Sequence, residues 1–173
     1  MEDKKEIKKE DSKKKVFEKP RFQRKPFVKE KQEFDQKLLD VTRTARMVAG
    51  GRRFSFRAVV VIGDKNGRVG VGVSGGKDVS IAVEKAVKQA KKDLIKILIT
   101  KNGSISFKVE AKYGAAKVML KPAARGRGVI AGGTVRTICN LAGIENITAK
   151  IIGRTNNKLN NARATLKALD LLE

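Results

Sequence analysis

The chain has no histidine, no tryptophan and one cysteine, and aromatic residues make up only 5% of its 173 positions. Without imidazole, the side chain best suited to proton transfer near neutral pH is missing, along with the commonest zinc ligand. A lone Cys139 cannot form an internal disulfide. The scarcity of aromatics means that a core must be built from Val, Ile, Leu and Ala. The longest uninterrupted apolar run, residues 58–62, is far shorter than the roughly 20 residues that span a bilayer. No membrane anchor is expected. The first fifteen residues are mostly Lys, Glu and Asp, without the apolar stretch of a secretory signal, so a cytoplasmic protein is expected.

Acids are also few. Forty Lys and Arg stand against eighteen Asp and Glu, a formal charge of +22, which is the sign and size that attract a phosphate backbone. The location of this charge says more than its total. Residues 41–173 hold twenty-six basic residues and eight acids, so +18 lies on the foldable part and +4 on the first forty residues. Two windows contain no acid at all. Residues 41–63 carry Arg43, Arg46, Arg52, Arg53 and Arg57, and residues 111–144 carry Lys112, Lys117, Lys121, Arg125, Arg127 and Arg136. The planar fork of arginine suits phosphate and base edges better than the point charge of lysine. The eight acids of the body are scattered, which leaves no paired carboxylates for general acid and base work.

Residues 1–34 are dense in charge and lack a sustained period, which predicts a disordered tail. Phe17, Phe22 and Phe27 recur in it among basic residues, either to stack on bases or as incidental aromatics. From Phe34 the pattern becomes alternating, with Leu39 and Val41, then a basic stretch, then Phe54, Phe56, Ala58, Val60 and Ile62 on one strand face. Asn66-Gly67 predicts a type I′ hairpin turn, because that turn needs positive φ at both central positions. Val69, Val71 and Val73 alternate with small residues in a third strand. A helix capped by Asp78 or Ser80 follows, with Val83, Val87, Ala90, Leu94 and Leu98 on its apolar face and a second stripe of Lys85, Lys88, Lys92 and Lys96, either to touch phosphate or as a solvated face.

Residues 101–104 read as a polar linker between two units, placing the first at 35–100 and the second at 105–173. In the second unit, Ile105, Phe107 and Val109 predict a strand, and 117–120 another. A helix with Val135, Ile138, Cys139 and Ala142 inward ends at Gly143, and its register makes Cys139 a buried small hydrophobe. A strand with Ile147, Ala149 and Ile151 precedes a last helix with Leu159, Ala162, Leu166 and Leu169 on one face. The order is β-β-β-α, then β-β-α-β-α, an α+β class.

Gly50-Gly51 would let a loop tip turn sharply or approach a groove closely. Gly70, Gly72, Gly75 and Gly76 before a helix resemble a phosphate-binding loop, but Gly76-Lys77-Asp78 lacks the Ser or Thr that would hold magnesium. A nucleotide site is therefore disfavoured, and contact between Lys77 and an RNA phosphate stays open. The run Gly51-Arg52-Arg53-Phe54-Ser55-Phe56 has the wrong glycine spacing for an RNA-recognition-motif strand. No cofactor is expected.

Gly50-Gly51-Arg52-Arg53-Phe54-Ser55-Phe56, continuing into Val61-Ile62-Gly63-Asp64-Lys65-Asn66-Gly67-Arg68-Val69-Gly70-Val71-Gly72, and the segment 122–133 closely resemble the family of the fifth protein of the small ribosomal subunit. The likeness runs from Phe34 to the C-terminus. It implies two small α/β domains, the first like a double-stranded-RNA-binding domain without its first helix, the second with a left-handed β-α-β crossover. It also implies a structural, non-enzymatic role near the neck of the subunit, in contact with rRNA and with the fourth and eighth small-subunit proteins; no homo-oligomer is expected.

In that family the loop between the first two strands reaches rRNA, and changes there confer spectinomycin resistance; Thr44, Ala45 and Arg46 occupy it here. The resemblance thus assigns rRNA binding to Thr44, Ala45 and Arg46, and the acid-free windows with their glycines add Arg43, Gly50, Gly51, Arg52, Arg53 and Arg57, with Lys77, Lys112 and Lys121 as further basic contacts. The resemblance also places Gly128 and Arg136 at the protein contact that tunes decoding accuracy, with Arg125, Gly126 and Arg127 at the edge of that contact, and it implies basic residues along the mRNA entry path. Two departures stand out. Gly75-Gly76-Lys77-Asp78 replaces the usual Lys-Ala-x-Glu, and Ala124-Arg125-Gly126-Arg127 adds charge where the family has Ser-x-Gly-Thr.

Overall fold

The computed structural model describes residues 33–172. The expected tail, with Phe17, Phe22 and Phe27, lies outside them, apart from its last two residues. The elements run β1 (Asp35–Val48), β2 (Gly51–Gly63), β3 (Arg68–Gly76), α1 (Val79–Lys92), β4 (Leu94–Lys96), β5 (Val109–Tyr113), β6 (Ala116–Pro122), β7 (Val129–Ile130), α2 (Gly133–Ala142), β8 (Ile147–Ile151) and α3 (Lys158–Asp170). Two four-stranded sheets result, one antiparallel in the order β1-β2-β3-β4, the other in the order β5-β6-β8-β7. In the second, β7 and β8 run parallel and are joined through α2. The chain is an α+β protein of two small units.

The two faces of β2 lead to different cores. Ala58, Val60 and Ile62 pack on the alanine ridge Ala82, Ala86 and Ala90 of α1. Val59 and Val61, with Val69 and Val71, join a larger core containing Val118, Leu120, Ile138 and Leu169 of the second unit. Because both faces are covered, residues 58–62 are a continuous apolar run. Only the α1 face was legible as alternation; the other side of the sheet is buried by the second unit.

Helix α1 lies unusually close to β3. A Cβ on Gly72 would overlap the Ala86 carbonyl and stand 2.6 Å from the Ala90 nitrogen. The small face of β3 is therefore the seat of the helix, and this packing, rather than phosphate binding, accounts for Gly70, Gly72 and Gly76. The side chain of Asp78 caps α1 by accepting from the Val79 amide at 2.7 Å. The helix ends at Lys92, not at Leu98. Leu94, though in helical register, begins β4, which covers the free edge of β3 by pairing with Gly70. Leu98 is exposed.

Three further expectations are corrected. The β2–β3 connection is not a type I′ turn at Asn66-Gly67, since positive φ falls at Lys65 and Gly67. There the Asp64 carboxylate accepts from the amides of Asn66 and Arg68, at 2.8 and 3.0 Å, and from the Arg68 guanidinium at 2.6 Å. This shape lets the Lys65 and Gly67 amides donate to the carbonyls of Leu141 and Ala142, both at 2.9 Å. A loop of the first unit thus satisfies the last carbonyls of a helix of the second, which would otherwise lack partners. Residues 105–108 form no strand; Ile105 is buried while Phe107 is exposed, and pairing begins at Val109. The strand β7 was not anticipated, because two residues carry no detectable period.

Candidate nucleic-acid interface

The first acid-free window folds into a ribbon rather than a loop. β1 and β2 pair from end to end, so Arg43, Thr44, Ala45, Arg46, Arg52, Arg53 and Arg57 are all strand residues; Gly50 stands in the turn, and Gly51, with φ at 122°, opens β2. β3 pairs with β2 only as far as Phe56. Beyond it, Gly51–Ser55 and the facing part of β1 project as two strands, about 17 Å at roughly 3.4 Å per residue. A two-stranded ribbon buries little, and its side chains are mostly exposed.

Register divides these side chains between two faces. On one, Arg43 stands opposite Phe56, Ala45 opposite Phe54, and Met47 opposite Arg52. On the other are Thr42 opposite Arg57, Thr44 opposite Ser55, and Arg46 opposite Arg53. Apart from Val48 opposite Gly51 at the tip, the second face is polar, with the Thr44 and Ser55 hydroxyls 2.9 Å apart and two arginines directly opposite each other. Like charges held at that spacing repel unless an anion lies between or beside them. The first face carries the apolar groups, and the Arg43 guanidinium lies over the Phe54 ring, 4.4 Å from its centroid. Lys77 follows Gly76, whose register partner is Phe56, so it stands exposed at the root of the ribbon.

The second window divides into three places. Lys112 and Lys121 are on the outward face of the second sheet, where Lys112 is opposite Lys117 and Lys121 opposite Thr148. Sequence reasoning missed Lys150, which joins that face opposite Met119. The alternation of Ile147, Ala149 and Ile151 inward would have turned it outward. Glu110 shares the face and is held below the usual carboxylate range by hydrogen bonds from Lys117 and Lys108.

Arg125, Gly126, Arg127 and Gly128 form one loop between β6 and β7, with Gly126 and Gly128 both at positive φ, 85° and 75°. Its anchor, also missed by sequence reasoning, is the buried side chain of Asn146. Asn146 Oδ1 accepts from the amides of Gly126 and Gly128, at 3.0 and 3.2 Å, and Nδ2 donates to the Asn102 carbonyl at 2.9 Å. Residues 101–104 are tied in further, since the Gly103 carbonyl accepts from both Glu145 and Asn146. Arg136 is separate from this loop, on the exposed side of α2. Cys139 is buried in the core of the second unit, where loss of solvent pushes its thiol up to about 12; it is no nucleophile.

Two compact α+β units with a basic ribbon on the first define the class of protein; the comparisons define the family. The family model for the ribosomal protein S5 N-terminal domain matches residues 34–98, and that for the S5 C-terminal domain matches residues 111–173. The chain is 49% identical over 144 residues to the small ribosomal subunit protein uS5 of Trichormus variabilis, covering 83% of this chain and 82% of that one. It is 48% identical over 139 residues to uS5c of Cyanidium caldarium, covering 80% and 82%. With uS5 of Synechocystis sp. the identity is 48% over 144 residues, covering 83% of each. The chain belongs to the ribosomal protein S5 family, a family of structural ribosomal proteins and not of enzymes.

Proposed function

We propose that this chain is a structural protein of the small ribosomal subunit that grips rRNA with the β1–β2 ribbon. The observation that carries the reading is an acid-free β1–β2 ribbon in a member of the S5 family, with Arg46, Arg52 and Arg53 on the part that projects beyond the sheet and Arg43 and Arg57 at its root. Among the described residues no salt bridge consumes these arginines: the ion pairs there use Lys65, Arg68, Lys108, Lys117 and Lys158. The five guanidiniums are thus available to phosphates, and association would release counterions. In this reading the ribbon reaches rRNA near the neck, with Thr44, Ala45 and Arg46 at the spectinomycin-sensitive position. Lys77 and the outward lysines Lys112 and Lys121 add phosphate contacts.

The loop Arg125–Gly126–Arg127–Gly128, with Arg136, would face the fourth small-subunit protein and through it influence decoding accuracy. Contact with the eighth protein and a basic flank along the mRNA entry path complete the assignment, in the cytoplasm and without cofactor.

The test replaces Arg43, Arg46, Arg52 and Arg53 together with Ala and follows a tagged chain on a gradient after a moderate salt wash. The expected result is loss of the variant from small subunits while the unaltered chain stays with them. Retention of the variant would refute the role of the ribbon, and an unaltered chain that remains at the top would refute the ribosomal reading.

A further inference from the structure

The geometry points to a division of labour on the ribbon: the Arg46/Arg53 face takes backbone phosphates, while Phe54, braced by Arg43, offers its ring to an unstacked nucleobase. This rests on the proposed rRNA contact and specifies its chemistry.

Phe54 and Met47 are the largest apolar groups on the projecting ribbon, 50% and 69% exposed. Both lie on the face opposite to Thr44, Ser55, Arg46 and Arg53. Neither is needed for the core. In β2 the parity of Phe54 is that of Ala58, Val60 and Ile62, but those three are covered by α1, whereas Phe54 lies past Phe56, where β3 ends. The strand therefore continues its core-facing pattern out into solvent, and it keeps a phenyl ring there. Exposing half of that ring costs hydrophobic free energy that only a partner recovers.

The kind of partner follows from the charge around the ring. Residues 41–63 contain five arginines and no acid, and Arg43 lies over Phe54 while Arg52 shares its face. An apolar protein surface would have to leave these guanidiniums dry and unpaired, which is costly. A nucleotide meets both demands, with a flat base for the ring and a phosphate for the arginines beside it. The flanking Met47, flexible and polarisable, can follow the edge of any of the four bases, so the site reads stacking and not sequence.

The experiment uses the full chain and small-subunit particles assembled without it. Affinity is measured across a salt series for the unaltered chain, Phe54→Leu, Phe54→Tyr and the pair Arg46→Ala with Arg53→Ala. Cross-linking from a benzophenone-bearing phenylalanine analogue placed at position 54, which captures nucleotides and protein alike, identifies what that side chain touches in the particle. Phe54→Leu is expected to weaken association about ten-fold or more with the salt slope unchanged, and Phe54→Tyr to stay within about two-fold. The arginine pair is expected to flatten the salt slope by about two. A cross-link between residue 54 and a nucleotide supports the proposal independently of how Phe54→Leu folds. If Phe54→Leu binds normally while the arginine pair weakens binding, stacking is refuted and the phosphate contact stands. If neither change matters, the rRNA reading of the ribbon fails with it. A cross-link from residue 54 to a ribosomal protein overturns the proposal in favour of a protein contact.

Discussion

Replacing Asn146 with Ala should detach the Arg125–Arg127 loop from the body of the second unit. The side chain is 3% exposed and makes three hydrogen bonds that join the 125–128 loop to residue 102. Each such bond contributes about 0.5–1.5 kcal/mol net. The Gly126 amide and the Asn102 carbonyl belong to exposed residues and can turn to water once released, whereas the amide of half-buried Gly128 is harder to satisfy. The truncation should therefore cost about 2–4 kcal/mol, a large share of the roughly 5–15 kcal/mol by which domains of this kind are stable. Urea unfolding followed by circular dichroism gives the total.

Amide hydrogen exchange distinguishes the mechanism: Gly126 and Gly128 should lose protection ahead of the strands around them. Asn146→Asp should separate the two halves of the interaction. It keeps an oxygen for the glycine amides but cannot donate to Asn102, so the loop amides stay protected while stability falls. A loss below about 1 kcal/mol for Asn146→Ala, with unchanged exchange at both glycines, would refute the role of this side chain as the anchor of the loop.

Two further expectations concern the first unit and its seam with the second. Gly72→Ala forces a methyl group against the Ala86 carbonyl and the Ala90 amide, so α1 must lift from the sheet; the expected loss is about 1–3 kcal/mol in urea unfolding, and an unchanged midpoint would show that the close seat is unnecessary. Asp64 is the other. Burial opposes its ionisation, but the Arg68 guanidinium and the Asn66 and Arg68 amides outweigh that and hold its carboxyl below the ordinary value. A carboxyl lowered in the folded state adds stability that is complete above roughly pH 5 and is lost as pH falls through the folded value. Asp64→Asn should therefore be less stable than the unaltered chain near neutrality and lose less on acidification. Parallel stability curves from pH 7 to about pH 3 would exclude the linkage.

Much of the local structure was readable because its cause is local. The Asp78 cap depends on one side chain and the next amide, and the end of α2 at Gly143 depends on a φ of 88° that glycine adopts freely. The inward register of Val135, Ile138, Cys139 and Ala142 follows from the helical period alone. The misread places share a different cause. The apolar periodicity of α1 extends through Leu94 to Leu98, yet the chain leaves the helix after Lys92 because the edge of β3 offers hydrogen bonds there. The 64–67 turn departs from the form that its Asn-Gly favours because two of its amides serve α2. Asn146 carries no motif, and its importance arises from three backbone groups that meet it from sequence separations of 18, 20 and 44.

The strong positive charge, its concentration in two acid-free windows and the glycine pattern that marks the family were properties of the sequence by itself, since they depend only on which residues are present and in what order. Which of those residues share a face was decided by tertiary structure. Arg46 meets Arg53, and Arg43 covers Phe54, only because β1 and β2 pair in one register, and a shift of one residue would exchange the two faces. The glycines of β3, which in sequence resemble a phosphate loop, became the seat of a helix once α1 was laid across them. Pairing and packing join residues that are distant along the chain, and no local pattern encodes that contact.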